Sequence, residues 1–193
     1  MNNFSRKTGY ILVQVLTVVR IPFAGLFAAL VLIGDPGTGR LLAAFFMLAL
    51  IEASDAFDGI LARKYDLVSE YGAALDPFAD SVSRLIVYFS LAAGGMVLLL
   101  LPLCMALRDV TVAYSRIILA KKQLSVSAKK SGKIKAWFQA LGSFLALAGP
   151  FYWEFTGRWS FYALSWILIV VTLSSAGEYV HSAVSALKRT SSE

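Results

Sequence analysis

The stretch Ser54–Asp80, SDAFDGILARKYDLVSEYGAALDPFAD, decides how this chain is read. It carries Asp55, Asp58, Asp76 and Asp80 in surroundings that are mostly apolar. Asp55 and Asp58 are three residues apart, so a helix presents both on one face, and Gly59 and Ala62 continue that face with little bulk. Gly72, Asp76, Asp80 and Arg84 recur at steps of four, which makes one stripe on a second helix. Carboxylates in an apolar helix are costly and mark function by default. Interhelical salt bridges to Arg63 or Arg84 would satisfy only part of the set. Oxygen ligands without histidine or thiol favour magnesium, manganese or calcium, and bound cations relieve the repulsion between carboxylates this close.

Working outward, composition sets the solvent. Of 193 residues, 58% are hydrophobic and 16% charged, and the mean hydropathy is +0.70. Soluble domains average about 25% charged residues. The reading is a single all-α integral membrane domain over residues 1–193. One cysteine, Cys104, excludes an intrachain disulfide, and one histidine, His181, argues against zinc or a His-based triad. The net charge of +6 comes from basic residues flanking apolar spans, so membrane topology explains it and nucleic acid is not expected. The polar start MNNFSRKTGY and the long apolar stretch after it do not look like a cleavable signal.

A spanning helix takes about 20 apolar residues, and six such spans can be drawn. They run roughly over residues 12–33, 41–63, 73–93, 97–120, 132–153 and 161–186, and an amphipathic N-terminal lead-in containing Arg6 and Lys7 precedes the first. Asp35-Pro36-Gly37 and Gly94-Gly95 are turn signals, and Pro77 is compatible with the first turn of the third span. The short connection from Lys64 to Tyr71 makes the second and third spans adjacent and antiparallel, so the two carboxylate pairs converge near one membrane face. One side collects Arg6, Lys7, Arg63, Lys64, Lys121, Lys122, Lys129, Lys130, Lys133, Lys135, Lys188 and Arg189, while the other has only Arg40 and Arg158. By the positive-inside rule both termini and the aspartates are cytoplasmic. Trp137, Trp153 and Trp159 fall near span ends, as interfacial anchors do.

Written as a pattern, the stretch is D55-x-x-D58-G59-x-x-A62-R63-x8-G72-x3-D76-x3-D80. It resembles the signature of the CDP-alcohol phosphatidyltransferases at every fixed position. The resemblance implies a multi-pass enzyme, in the cell inner membrane if bacterial, and often a homodimer. It would transfer a phosphatidyl group from CDP-diacylglycerol to an alcohol and release CMP. It also implies two magnesium or manganese ions held by Asp55, Asp58 and Asp76 with Asp80 near the second. Asp55, Asp58, Gly59, Ala62, Arg63 and Gly72 would bind the donor, and Asp80 would be the general base.

The acceptor is read elsewhere. Arg108 and Arg116 are eight apart on one face of the fourth span, and Lys133 and Lys135 open the fifth; such bases suit a dianionic phosphate. Loop topology alone would also account for the lysines, whereas an arginine within a span needs a partner, for which Asp109 is a candidate. The layout R108-D109-x6-R116 followed by SGKIK-x3-Q139, and LTVVRIP at 16–22, resemble the phosphatidylglycerophosphate synthase branch, and the resemblance makes Arg20 a further candidate for the substrate phosphates. Asp109, Ala136 and Ser81 depart from that branch's usual glutamate, threonine and lysine. Glycerol 3-phosphate is therefore the first expectation, inositol phosphate the second and phosphatidylglycerol, in cardiolipin synthesis, the third. From a different class, a divalent-cation transporter would use the aspartates as an ion path. It would more naturally place them at the midplane, on broken helices or at a repeat interface, and no repeat is visible.

Overall fold

The structure, a computed structural model, describes residues 3–33, 37–64, 70–124 and 130–190, with side chains at 14–33, 37–55, 57, 75–124 and 134–188. The described residues form seven α-helices in two compact units, one ending at Gly94 and one starting at Gly95.

The first unit holds α1 (Asn3–Leu32), α2 (Thr38–Lys64) and α3 (Glu70–Ala93). The principal packing of both α2 and α3 is against α1. Thr17, Arg20, Ala24 and Phe27 recur at helical spacing on α1 and are all buried. Ala44, Leu48 and Ile51 of α2, and Ala79, Val87, Tyr88 and Leu91 of α3, complete this core. The second and third spans, expected to be adjacent, meet in the Arg84–Glu52 ion pair, and α1 packs against both. The lead-in is continuous with the first span, since α1 starts at Asn3. Because α3 starts at Glu70, Pro77 lies in the helix interior and not in its first turn.

The second unit holds α4 (Leu100–Lys121), α5 (Lys130–Leu147), α6 (Gly149–Thr156) and α7 (Trp159–Thr190). Here α7 packs against α4, α5 and α6. Its buried face reads Phe161, Ser165, Leu168, Thr172, Ser175, Tyr179 and Ala183, spaced by three or four. Ser165 Oγ accepts a hydrogen bond from the Leu98 N–H at 3.1 Å, just before α4 begins. The fifth expected span, drawn to residue 153, breaks in two at Leu147. Pro150 has no N–H for the next helical bond. A Cβ at Gly149 would collide with the Trp153 ring, so that ring occupies the space beside the backbone. Gly157, at φ 63, takes the left-handed conformation that ends α6.

Among the described residues two helices are long and apolar enough to cross a membrane, at Gln14–Leu32 and Trp159–Lys188, and Ile134–Leu147 is a shorter apolar helix. The remaining long helices are interrupted by charge: Arg40, Glu52 and Asp55 on α2, Asp76, Asp80 and Arg84 on α3, and Arg108, Asp109 and Arg116 on α4.

Candidate active site

Helix α2 carries Asp55 and α3 carries Asp76 and Asp80. Asp55 and Asp76 are joined through a third helix. The Arg20 guanidinium of α1 donates Nη1–H to Asp55 Oδ1 and Nη2–H to Asp76 Oδ1 at 3.0 Å. Arg20 is only 1% exposed, whereas the Asp55 and Asp76 side chains are 40% and 56% exposed. The cation therefore lies beneath the carboxylates, and the carboxylates open outward.

A second ion-pair system lies along the same two helices. Arg84, one turn beyond Asp80 on α3, donates Nη2–H to Asp80 Oδ1 at 2.7 Å. Its Nη1–H reaches Glu52 Oε1 of α2 at 3.3 Å. Arg84 is buried, so a neutral environment would make its charge expensive, and the two carboxylates offset it. Glu52 was not singled out from the sequence, although it lies three residues before Asp55 and so on the same face.

The donor set fits hard cations. Asp55 and Asp76 belong to different helices yet share one guanidinium, so both carboxylates lie against the same cation. Each carboxylate has a second oxygen and further lone pairs beyond the Oδ1 contact. Among the described residues no group of three acidic, histidine or cysteine side chains gathers as a metal cage. The side chains of Asp58, Gly59, Ala62, Arg63 and Gly72 lie outside the described residues, so the full constellation expected for the donor is not described.

In the second unit the expected phosphate-binding residues separate into two groups. Arg108 donates Nη1–H to Asp109 Oδ1 at 2.7 Å and Nη2–H to Ser175 Oγ at 3.3 Å. Lys135 Nζ approaches the same Asp109 oxygen at 3.4 Å. Two cations thus meet on one carboxylate. Arg116 instead places its guanidinium 5.8 Å from the centre of the Tyr179 ring, in a cation–π contact, and is exposed. The side chain of Lys133 lies outside the described residues. Gln139 donates Nε2–H to Thr172 Oγ1 at 3.0 Å. Thr172, Ser175 and Tyr179 belong to the last span, 161–186, and were not among the expected site residues. Their three- and four-residue spacing was the signal that they share the face of α7 turned to its neighbours.

A family model described as CDP-alcohol phosphatidyltransferase matches residues 10–174. A CDP-diacylglycerol–glycerol-3-phosphate 3-phosphatidyltransferase of Bacillus subtilis (strain 168) is 32% identical over 153 residues, 76% of each chain. A protein of the same name from Rickettsia typhi (strain ATCC VR-144 / Wilmington) is 30% identical over 169 residues, 85% of this chain and 92% of the relative. The chain belongs to the CDP-alcohol phosphatidyltransferase family, and it is an enzyme of that class.

Proposed function

We propose that the chain transfers the phosphatidyl group of CDP-diacylglycerol to sn-glycerol 3-phosphate, producing phosphatidylglycerophosphate and CMP. The observation that carries this reading is the pair Asp55 and Asp76, gathered on one guanidinium with outward-facing carboxylates, in a chain whose relatives are named for this reaction. We read residues 1–193 as one catalytic membrane domain, since the family match runs through both units.

Asp55, Asp58 and Asp76, with Asp80 near the second ion, would hold two magnesium or manganese ions. Such ions neutralise phosphate oxygens and stabilise attacking and leaving oxygens. Gly59, Ala62 and Gly72 would leave room for the cytidine, and Arg63 would contact the donor phosphates. Asp80 would take the proton of the acceptor hydroxyl. The acceptor oxygen then bonds to the diacylglycerol-side phosphorus, the bond from that phosphorus to the CMP oxygen breaks, and CMP leaves with the electron pair. Arg84 would keep Asp80 in register through its 2.7 Å contact. The Arg108–Lys135 cluster, together with Arg116 and Lys133, would bind the acceptor phosphate.

We read the chain as a multi-pass membrane protein, with six spans drawn from hydropathy and cytoplasmic termini from loop charge; the surface supports its placement in a membrane. Phe46, Phe89, Leu103, Leu141, Trp166 and Val170 point outward, while Arg20, Arg84, Gln139, Ser165 and Thr172 are buried. Apolar outside and polar inside is the arrangement that hydrocarbon favours. The test is CMP release by the purified protein with magnesium and CDP-diacylglycerol, offered glycerol 3-phosphate, inositol phosphate or phosphatidylglycerol. Release with glycerol 3-phosphate is expected. Release with another acceptor reassigns the acceptor. No release with any of them, together with divalent-cation uptake into proteoliposomes, would favour a transporter.

A further inference from the structure

Arg20 lies on α1, outside the carboxylate stretch, 35 residues from Asp55 and 56 from Asp76. It is one of the largest fully buried side chains of the described residues. A guanidinium so placed cannot swing away without leaving a charge unpaired in an apolar interior, a costly state. Its planar fork suits two acceptors at once, which a lysine ammonium does not reproduce. It also sits on the helix that both α2 and α3 pack against, so its two hydrogen bonds tie those helices at the level of the candidate site.

We propose that Arg20 is a positioning residue: a buried fork that sets the spacing of Asp55 and Asp76 before any cation arrives, stays in place when cations bind, and does not contact the substrate phosphates. Without it, the two carboxylates would lose the cation they share across two helices and would repel more strongly. With it, each aspartate turns one oxygen to the guanidinium while its side chain stays part-exposed, at 40% for Asp55 and 56% for Asp76. The inference rests on the proposed divalent-cation site, towards which these aspartates turn. It extends that reading by assigning the α1 arginine to the support of the ligands.

The experiment reads cation binding and not turnover. Free Mn2+ is counted by electron paramagnetic resonance as it is titrated onto the purified protein in detergent, without nucleotide lipid. Loss of a residue that orients metal ligands typically costs about 10- to 100-fold in metal affinity. Arg20→Gln is expected to weaken Mn2+ binding by that range, and Arg20→Lys, which keeps the charge but lacks the fork, to lie between it and the unaltered protein. Should Arg20→Gln not fold, the lysine variant still reports. So does phenylglyoxal labelling of the unaltered protein read by mass spectrometry, in which Arg20 is expected to stay unreactive with and without Mn2+.

Unchanged or tighter Mn2+ binding in both variants would overturn the proposal, as would Arg20 labelling that appears when Mn2+ is added. Unchanged Mn2+ affinity with weakened CDP-diacylglycerol binding would reassign Arg20 to the substrate. Those results leave the cation site standing. Absence of Mn2+ binding by the unaltered protein and by Arg20→Gln alike would overturn the cation site and this inference together.

Discussion

Gln139 on α5 donates its side-chain amide to the hydroxyl of Thr172 on α7 at 3.0 Å, and both residues are fully enclosed. The bond joins two helices through groups that lipid could not satisfy. Replacing Thr172 by valine keeps the shape and removes the acceptor. We expect Thr172→Val to destabilise the protein by about 1 kcal/mol, the usual net worth of such a bond. The double variant Gln139→Leu/Thr172→Val should be less destabilised than the sum of the single ones, because no polar group is then stranded. Thermal unfolding in detergent measures all three. Strict additivity would show that the bond carries no coupling.

Arg84 couples Glu52 and Asp80 across α2 and α3. Removing the arginine leaves two partly buried carboxylates without their cation, while removing Glu52 leaves Arg84 still held by Asp80. Breaking a buried pair from one side costs about 3–5 kcal/mol, and the partial exposure of both acids places this case at about 3. Arg84→Met should therefore lower the unfolding midpoint well beyond Glu52→Gln. It should also lower turnover more, since only that change releases Asp80. Equal effects of the two variants would argue that the stabilising contact is the Glu52 one.

The carboxylate stripe of α3 was legible because helical spacing alone places Asp76 and Asp80 on one face, while the Asp58 side chain that would pair with Asp55 on α2 lies outside the described residues. The convergence of Asp55 and Asp76 on Arg20 was not legible. It depends on how α1 packs against two other helices, and local periodicity carries no information about a partner 35 or 56 residues away. Glu52 had the signal, a three-residue step from Asp55, but an acid outside the family pattern drew no notice. The break in the fifth span was readable in Gly149-Pro150, a turn pair hidden by apolar residues on both sides. The polar face of α7 was obscured similarly: serine and threonine dilute an apolar helix only slightly, and their partners lie on α4 and α5.

The proposed base role of Asp80 can be tested apart from cation binding. Asp80→Asn keeps the size of the side chain and an acceptor oxygen but cannot take a proton. Turnover is expected to fall by at least about 100-fold, the lower range for a lost general base, while CDP-diacylglycerol binding is retained. Loss of donor binding in equilibrium measurements would make Asp80 chiefly a cation ligand. Chelation by EDTA should abolish CMP release by the unaltered protein, with recovery on adding magnesium or manganese. Release that persists in EDTA would remove the divalent cation from the reaction.

Arg108 and Arg116 share α4 but not an environment, and kinetics should separate them. Arg108 is half-buried, braced by Asp109 and Ser175, and sits with Lys135 on one carboxylate. Arg116 is exposed and lies over Tyr179. A charge held in a fixed, partly dry place contributes more to binding a dianion than one in high dielectric. Arg108→Ala should raise the KM for glycerol 3-phosphate by at least about tenfold, equivalent to about 1.4 kcal/mol, with the KM for CDP-diacylglycerol changed far less. Arg116→Ala should shift the acceptor KM in the same direction but by a smaller factor, because its cation–π contact already engages the guanidinium. Asp109→Asn supplies the internal check. It removes the carboxylate that braces Arg108 and Lys135 while leaving both cations, so a raised acceptor KM there would show that their placement, and not their charge alone, recognises the phosphate. Equal rises in donor and acceptor KM for Arg108→Ala would remove the cluster from acceptor recognition.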